Sequence, residues 1–171
     1  MKDNSGFTLI ELLVAVAILA ILVAFAIPNF TDTTARSRLA ANANEVLGAI
    51  QLARAEALRR NGAVSLAPLD GADWSNGFAV YIDAGGTANA YDDGEEIRIF
   101  ENFGRGTTIA TVGASTNIIF DSRGFANSNG AGAAPSEEAL RICDDRPAEV
   151  GRLVNLLVSG ATWVADANDC N

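Results

Sequence analysis

Residues 5–30 read SGFTLIELLVAVAILAILVAFAIPNF, and the reading of this stretch decides the fold. From Phe7 to Ile27 only Thr8 and Glu11 are polar. A run of about twenty-one residues, at roughly 1.5 Å each as a helix, covers the hydrocarbon core of a bilayer. A cleaved secretory signal would have a shorter apolar region and a more basic front than MKDNSG, and the triplet Ala15-Val16-Ala17 lies in mid-run, where a signal peptidase does not normally cut. Glu11 is the anomaly. A carboxylate in hydrocarbon costs about 3 kcal/mol even on lenient insertion scales, so an acid in this run calls for a function and a partner. The flanking charges do not orient the segment, because Lys2 and the free amine on one side are balanced by Arg36 and Arg38 on the other.

Outward from the apolar run, the remainder of the 171 residues suffices for one domain of ordinary size. The formal charge is −9, with nineteen acids against eleven arginines from Thr31 onward, a balance that repels phosphate. The chain has no histidine, and its one lysine is Lys2. The commonest general base, the commonest metal ligand and the amine nucleophile are therefore missing together. Cys143 and Cys170 sit in acidic surroundings that do not lower a thiol pKa, a context that suits a bridge better than a reactive thiol; two reduced buried thiols are the alternative. If bridged, they imply an oxidising compartment outside the cytoplasm.

Pro28 lacks an N–H and clashes with the preceding turn, so a kink or local break is expected there. Helical periodicity resumes, with Leu39, Ala43, Val46, Leu47, Ile50, Arg54, Ala57 and Leu58 at three- and four-residue spacing. Arg60-Asn61-Gly62 offers a cationic last turn and a glycine for a left-handed cap, which ends the helix near Asn61. Continuous from Phe7, such a helix would be roughly 80 Å long. Beyond Gly62 the period changes to 2, predicting strands at 64–69, 78–82, 96–100, 107–112, 117–120, 140–143, 152–158 and 162–164, with a flexible Ala/Gly/Asn/Ser connection at about 125 to 138. A long helix followed by antiparallel strands is an α+β order.

The polar leader ending in Gly6, then Phe7, TLIELL with Glu11, and an apolar run closed by Pro28 resembles the class III leader of type IV pilins and pseudopilins. Further on, ARAEALRRNGAVSL, WSNGFAVYID, DDGEEIRIF, IIFDSRG, ICDD, GRLVNLLVSG and the terminal Asp169-Cys170 together resemble the GspH/FimT/FimU group of minor pilins and minor pseudopilins, over nearly the whole chain. The resemblance implies a pilin-like α+β fold with a leader at 1–6, a membrane and filament-core helix half at 7–29, an amphipathic half at 30–61 and a β-rich domain at 62–171. It also implies that a prepilin peptidase cuts between Gly6 and Phe7 and methylates the Phe7 amine. Glu11 would then meet the charged N-terminus of a neighbouring subunit during assembly. Each of two such buried charges would be uncompensated alone, so their pairing can act as a register check. In that group the two late cysteines pair, which implies Cys143–Cys170 closing a loop of about 28 residues, a constraint of roughly 3 to 4 kcal/mol on the chain-entropy model. The implied partners are other minor and major pilins or pseudopilins, the prepilin peptidase and inner-membrane lipid, with the domain in the periplasm and later at the tip of a pilus or pseudopilus. The implied role is joining other minor subunits in a priming complex. Pilus and type II secretion systems both use this fold, and the residues do not separate them.

Other chemistries fare less well. YIDAGGTANAYDDGEE supplies Asp83, Asn89, Asp92, Asp93 and Glu95 as oxygen donors, yet Gly85 and Thr87 stand where an EF-hand-type loop wants acids or amides, so a solvated hairpin loop is expected and no metal. Some FimT-type members take up DNA through a GRxR element. The corresponding residues here are Gly151, Arg152, Leu153 and Val154, without the second arginine and beside Asp144, Asp145 and Glu149, so no nucleic-acid partner is expected. A membrane-anchored hydrolase would need convergent acids. Asp92/Asp93 and Glu95/Glu96 are sequence neighbours, which on a strand point to opposite faces, so no catalytic residue is assigned. No cofactor is implied.

Overall fold

A computed structural model describes residues 8–84, 90–104, 106–112, 116–128, 138–146, 150–168 and 170. Helix α1 runs from Leu9 to Arg60, and its assignment continues through position 28; the bend expected at Pro28 lies outside what is described, as does that side chain. The chain divides into two compact units, Met1–Arg38 and Leu39–Asn171. In the second unit, Leu39, Ala43, Val46, Ile50, Ala53 and Ala57 are buried at alternating spacings of four and three. This is the stripe that a helix presents to a core, and its alanines let the backbone approach closely.

The C-terminus of α1 differs from the expected glycine cap. Asn61 holds the left-handed conformation (φ 52°), its N–H donates to the Leu58 carbonyl (3.4 Å), and the Gly62 N–H donates to the Ala57 carbonyl (3.2 Å). That bond pair is a Schellman motif with asparagine at the left-handed position and glycine one residue later. Asparagine tolerates this region better than other residues with a Cβ because its short polar side chain can hydrogen-bond locally and offset the steric cost.

Among the described residues nine strands follow: β1 (Val64–Pro68), β2 (Phe78–Tyr81), β3 (Glu96–Phe100), β4 (Thr108–Val112), β5 (Ile118–Phe120), β6 (Ala126–Ser128), β7 (Glu138–Cys143), β8 (Gly151–Leu156) and β9 (Thr162–Ala167). They form two antiparallel sheets, β3-β2-β1-β5-β6 and β4-β7-β8-β9. The core unites the buried helix stripe with Leu66, Phe78, Val80 and Phe120 of the first sheet and Ile109, Ile142, Val154 and Leu156 of the second. Phe78 stacks on Phe100, centroids 4.9 Å apart, and tilts against Trp74 at 5.5 Å. Two ties join the sheets. Ser75, in a short 3-10 turn at Trp74–Asn76, accepts from the Ile109 N–H of β4 (2.8 Å), and Ala126 of β6 donates to the Val158 carbonyl beyond β8 (2.8 Å).

Several sequence boundaries shift. Ala126–Ser128 pairs with β5 although it falls in the stretch expected to be a flexible connection; three residues are too few for a period to register. Strand β8 stops at Leu156, two residues before the expected end, because Leu157–Gly160 turns back with the Gly160 N–H on the Leu157 carbonyl (2.8 Å). Strand β9 instead continues to Ala167, in register with Gly151.

Candidate functional site

The amino end of α1 is built by Thr8 and Glu11. The Thr8 carbonyl accepts from the Leu12 N–H (3.2 Å), while its hydroxyl accepts from the Glu11 N–H (3.3 Å). Thr8 is thus the N-cap, and Glu11 occupies the third helical position, with the T-x-x-E spacing at which the cap hydroxyl receives its backbone N–H. An acid in the first turn also complements the positive end of the helix dipole. The motif was legible in TLIE, but the apolar context drew the reading to the bilayer instead. Gly6 and Phe7, the expected cleavage and methylation positions, lie outside the described residues.

From Leu9 to Phe25 every described side chain is exposed, from 76% at Leu9 to 45% at Val23 among the large aliphatics. A helix stretch that is apolar all round and uncovered by the described residues calls for lipid or other subunits around it. By length and composition α1 can cross a membrane. Glu11 is the one ionisable side chain between Leu9 and Thr31.

Cys143, at the end of β7, and Cys170 form a disulfide, with Cα atoms 5.6 Å apart. It crosses Gly151 of the adjacent strand β8, where a Cβ would collide with the Cys170 Sγ and the Ile142 carbonyl oxygen. Glycine is therefore imposed there by a close approach, a role that only the folded pairing reveals. Beside it, the Arg152 guanidinium makes an ion pair with Asp166, its cross-strand partner on β9. The arginine that a phosphate would have to engage already has a carboxylate.

The acidic loop is organised by its own backbone. Glu95 accepts from the Ala84 N–H (2.8 Å), and Glu96 accepts from the Gly94 N–H (2.9 Å) and the Tyr91 hydroxyl (3.3 Å). Hydrogen bonding from its own backbone N–H, and next from the amide of Gly94, holds the Glu96 carboxyl below its ordinary value. Among the described residues no three His, Cys, Asp or Glu side chains form a group able to hold a metal ion; Asn89 lies outside them.

Arg54 is a residue that sequence reasoning placed only on the apolar stripe. Its guanidinium donates to three carbonyls, those of Gly124 (3.1 Å), Gly160 (3.1 Å) and Ser159 (2.9 Å). It ties the helix to one turn from each sheet, at the point where those sheets are joined by Ala126 and Val158. Gly160, at φ 77°, leaves room for this, since a Cβ would collide with the Arg54 Nε and the Gly124 oxygen.

Residues 42–162 match the family model described as type II transport protein GspH, and residues 1–27 match the prokaryotic N-terminal methylation motif. A fimbrial protein of Pseudomonas aeruginosa is 34% identical over 119 residues, covering 68% of this chain and 73% of the relative. The type IV major pilin protein PilA of Myxococcus xanthus is 63% identical over 35 residues, covering 20% of this chain and 16% of that one. Among solved structures, the type IV minor pilin FimU of Pseudomonas aeruginosa superposes with a TM-score of 0.64 at 23% identity, covering 81% of this chain and 98% of FimU, a likeness of fold. With an N-terminal methylation motif on an uncovered apolar helix and a two-sheet domain behind it, this chain belongs to the GspH family and is a minor pilin or pseudopilin, a structural subunit.

Proposed function

We propose that this chain is an inner-membrane precursor that is cut after Gly6, methylated on Phe7 and built into the tip of a type IV pilus or a type II secretion pseudopilus. The leader is residues 1–6, the bilayer and filament-core half of the helix 7–29, the amphipathic half 30–61, and the periplasmic domain 62–171. The observation that carries this reading is the exposed apolar run of α1 with Glu11 as its one ionisable side chain. Cleavage frees an ammonium on Phe7 four positions before Glu11. Within a filament the Glu11 carboxylate of one subunit meets that ammonium on a neighbour, and each charge compensates the other in an apolar core. The chain acts by joining other minor and major subunits into a complex that starts or caps polymerisation, and it performs no chemistry of its own.

The ion pair of Arg152 with Asp166 and the net charge of −9 both oppose DNA as a partner. Intact mass of the protein extracted from its host membranes without reductant tests the reading. The expected product begins at a singly methylated Phe7 and lacks two hydrogens at Cys143 and Cys170. An intact Met1, or cleavage inside the alanine-rich run, would overturn it.

A further inference from the structure

The two sheets end in the edge strands β3, β6, β4 and β9, and the first three are guarded. Strand β3 carries Glu96 and Arg98 and lies opposite a bulge at Val80/Tyr81. On β4 the Ser75 hydroxyl accepts from the Ile109 N–H (2.8 Å). Strand β6 is three residues long, and its Ala126 N–H is taken by the Val158 carbonyl (2.8 Å). Charge, cover and shortness are means by which natural sheets keep an edge from accepting another strand. Strand β9 lacks them. It runs for six residues, TWVADA, without proline, lysine or arginine, and its one charge, Asp166, is engaged by Arg152 of β8. The hairpin before it decides which backbone groups point outward. The Leu157 N–H donates to the Ala161 carbonyl (2.9 Å), so in the ladder that continues from this pair Trp163 and Ala165 turn their N–H and C=O toward β8. Thr162, Val164 and Asp166 turn theirs away, and no described group bonds them. Beside Thr162 this edge borders a groove of about 390 Å³ walled by Gly160 and by Gln51, Ala55 and Leu58 of α1. Leu58 is 50% exposed.

We propose that β9 accepts an extended segment of a different, neighbouring subunit as an added strand, with an apolar side chain of that segment seated in the groove against Ala55 and Leu58. The inference rests on the assembly reading above and names the edge by which the subunit takes hold of its neighbour. The outward groups of Thr162, Val164 and Asp166 define the occupant. They alternate with the period of a strand, and extended backbone meets them with donors and acceptors at the same period. A helix spends its backbone groups internally and cannot. Main-chain bonds then supply affinity, and the groove, which takes alternate side chains, supplies selectivity. A second copy of this chain is a poor occupant, because the contact would join two bodies that each carry −9. The same charge favours a segment that is neutral or basic.

The test uses the full chain in its host, with Trp163→p-benzoylphenylalanine as a photocrosslinker on β9, one aromatic in place of another, so that the outward groups and the groove are untouched. The expected adduct is a second, different protein whose sequence carries an N-terminal methylation segment, and mass spectrometry maps the link to a stretch with apolar residues at alternate positions. Thr162→Pro deletes one outward N–H and leaves the bonds to β8, and the first position of an edge strand accommodates proline. It should lower the yield by about tenfold, whereas Thr162→Val, which keeps the N–H, should stay within about twofold of the parent. Leu58→Glu, which puts a charge into the groove, should also lower the yield by about tenfold. Retention of the Cys143–Cys170 bond reports that each variant has folded, and if Thr162→Pro loses it, Leu58→Glu decides alone. An adduct only with itself, only with lipid, or unchanged in the folded variants overturns the added strand. Equal losses from Thr162→Val and Thr162→Pro overturn it too, since they would place the contact in the side chain. So does the absence of any adduct when the mature chain is present in sheared filaments, and in that case the assembly reading still stands. A chain that is never processed or found in filaments sinks the assembly reading, and this inference with it.

Discussion

From Leu9 to Phe25, helix α1 exposes aliphatic side chains on every side, whereas from Leu39 to Ala57 it buries one stripe and leaves polar residues such as Glu45 and Gln51 in water. Both stretches are helical, and both are rich in alanine and leucine. The difference lies in what each was written to meet. The second half has its partner within the chain, as two sheet faces arranged around a narrow stripe. The first half has none among the described residues, and its all-round apolarity suits a surround of lipid or packed helices. A residue that is conspicuous in one setting is ordinary in the other. Glu45 on a solvated face needs no account, while Glu11, about eight helical turns before Leu39, needs a partner from outside.

The largest expected break in this contrast comes from Glu11→Val. If the carboxylate compensates a neighbour's ammonium, the variant should still be processed and membrane-bound, yet its presence in sheared filaments should fall by about a hundredfold. A hundredfold is about 2.8 kcal/mol, and it is a lower bound, since leaving one charge of a buried pair alone costs roughly 3 to 5 kcal/mol. Quantitative immunoblotting of membrane and sheared fractions measures it. Incorporation at the wild-type level would leave Glu11 only as an acid in the first turn, complementing the helix dipole.

Stability should separate the two halves in the opposite sense. Ile50, 1% exposed among both sheets, should cost about 2 to 5 kcal/mol when replaced by alanine. Leu19→Ala, at a position 60% exposed, should leave melting of the β domain unchanged in detergent, because no contact within the chain is lost. Near-UV circular dichroism of the full chain would follow the Trp74 and Tyr81 environments. Equal destabilisation by both substitutions would break the division of labour.

Arg54→Ala comes next. It removes three hydrogen bonds from a charged donor to carbonyls of two turns, an expected loss of about 2 to 3 kcal/mol. Arg54→Lys should recover only part of it, since a single ammonium cannot span the three acceptors as the planar fork does. Hydrogen exchange at Gly124 and Gly160 should rise before that of the Val80 amide in the central part of the first sheet. A uniform rise would mean that the clamp is not local.

How far the sequence revealed these parts follows from how local each one is. The two helix halves were legible because periodicity over a dozen or more residues is a strong signal, and the strands because alternation over five or six is enough. Strand β6 is three residues long and becomes a strand only by pairing with Ile118–Phe120. The partition into two sheets was equally invisible, because it depends on which strands pair across long separations, such as β1 with β5. Arg54 on the buried stripe looked like a helix residue with a long stem, and its acceptors lie 70 and more positions away. Gly151 looked like the first residue of a possible phosphate motif. Only the crossing of the disulfide explains it. Asn61 and Gly62 were read as the right pair with their conformations exchanged, since either residue tolerates the left-handed region.

The smallest effect, and the sharpest about where the amphipathic half ends, concerns acid. The side chain of Arg59, then that of Arg60, hydrogen-bond Glu56 and bring its carboxyl from the ordinary 4.5 down to about 2. Asp70 is likewise lowered, from 3.8 to about 2, by the Asn76 side chain and the amides of Asp73 and Ala72. For a carboxyl lowered by folding, the unfolded chain binds the proton first. The contribution is therefore complete above the ordinary value and is lost as pH falls toward 2. Melting of the β domain should accordingly decline between about pH 4.5 and 2, with Glu56→Gln giving a shallower decline and Asp70→Asn an independent reduction. The two arginines that hold Glu56 are exposed, so added salt should shrink the Glu56 part, while the Asp70 part, made of short bonds to amides, should persist. If Glu56→Gln left the acid slope unchanged, the last turn of α1 would be held by its Schellman bonds and the Ala57 contact alone, and the boundary between buried helix and solvent would lie one turn earlier than the charges suggest.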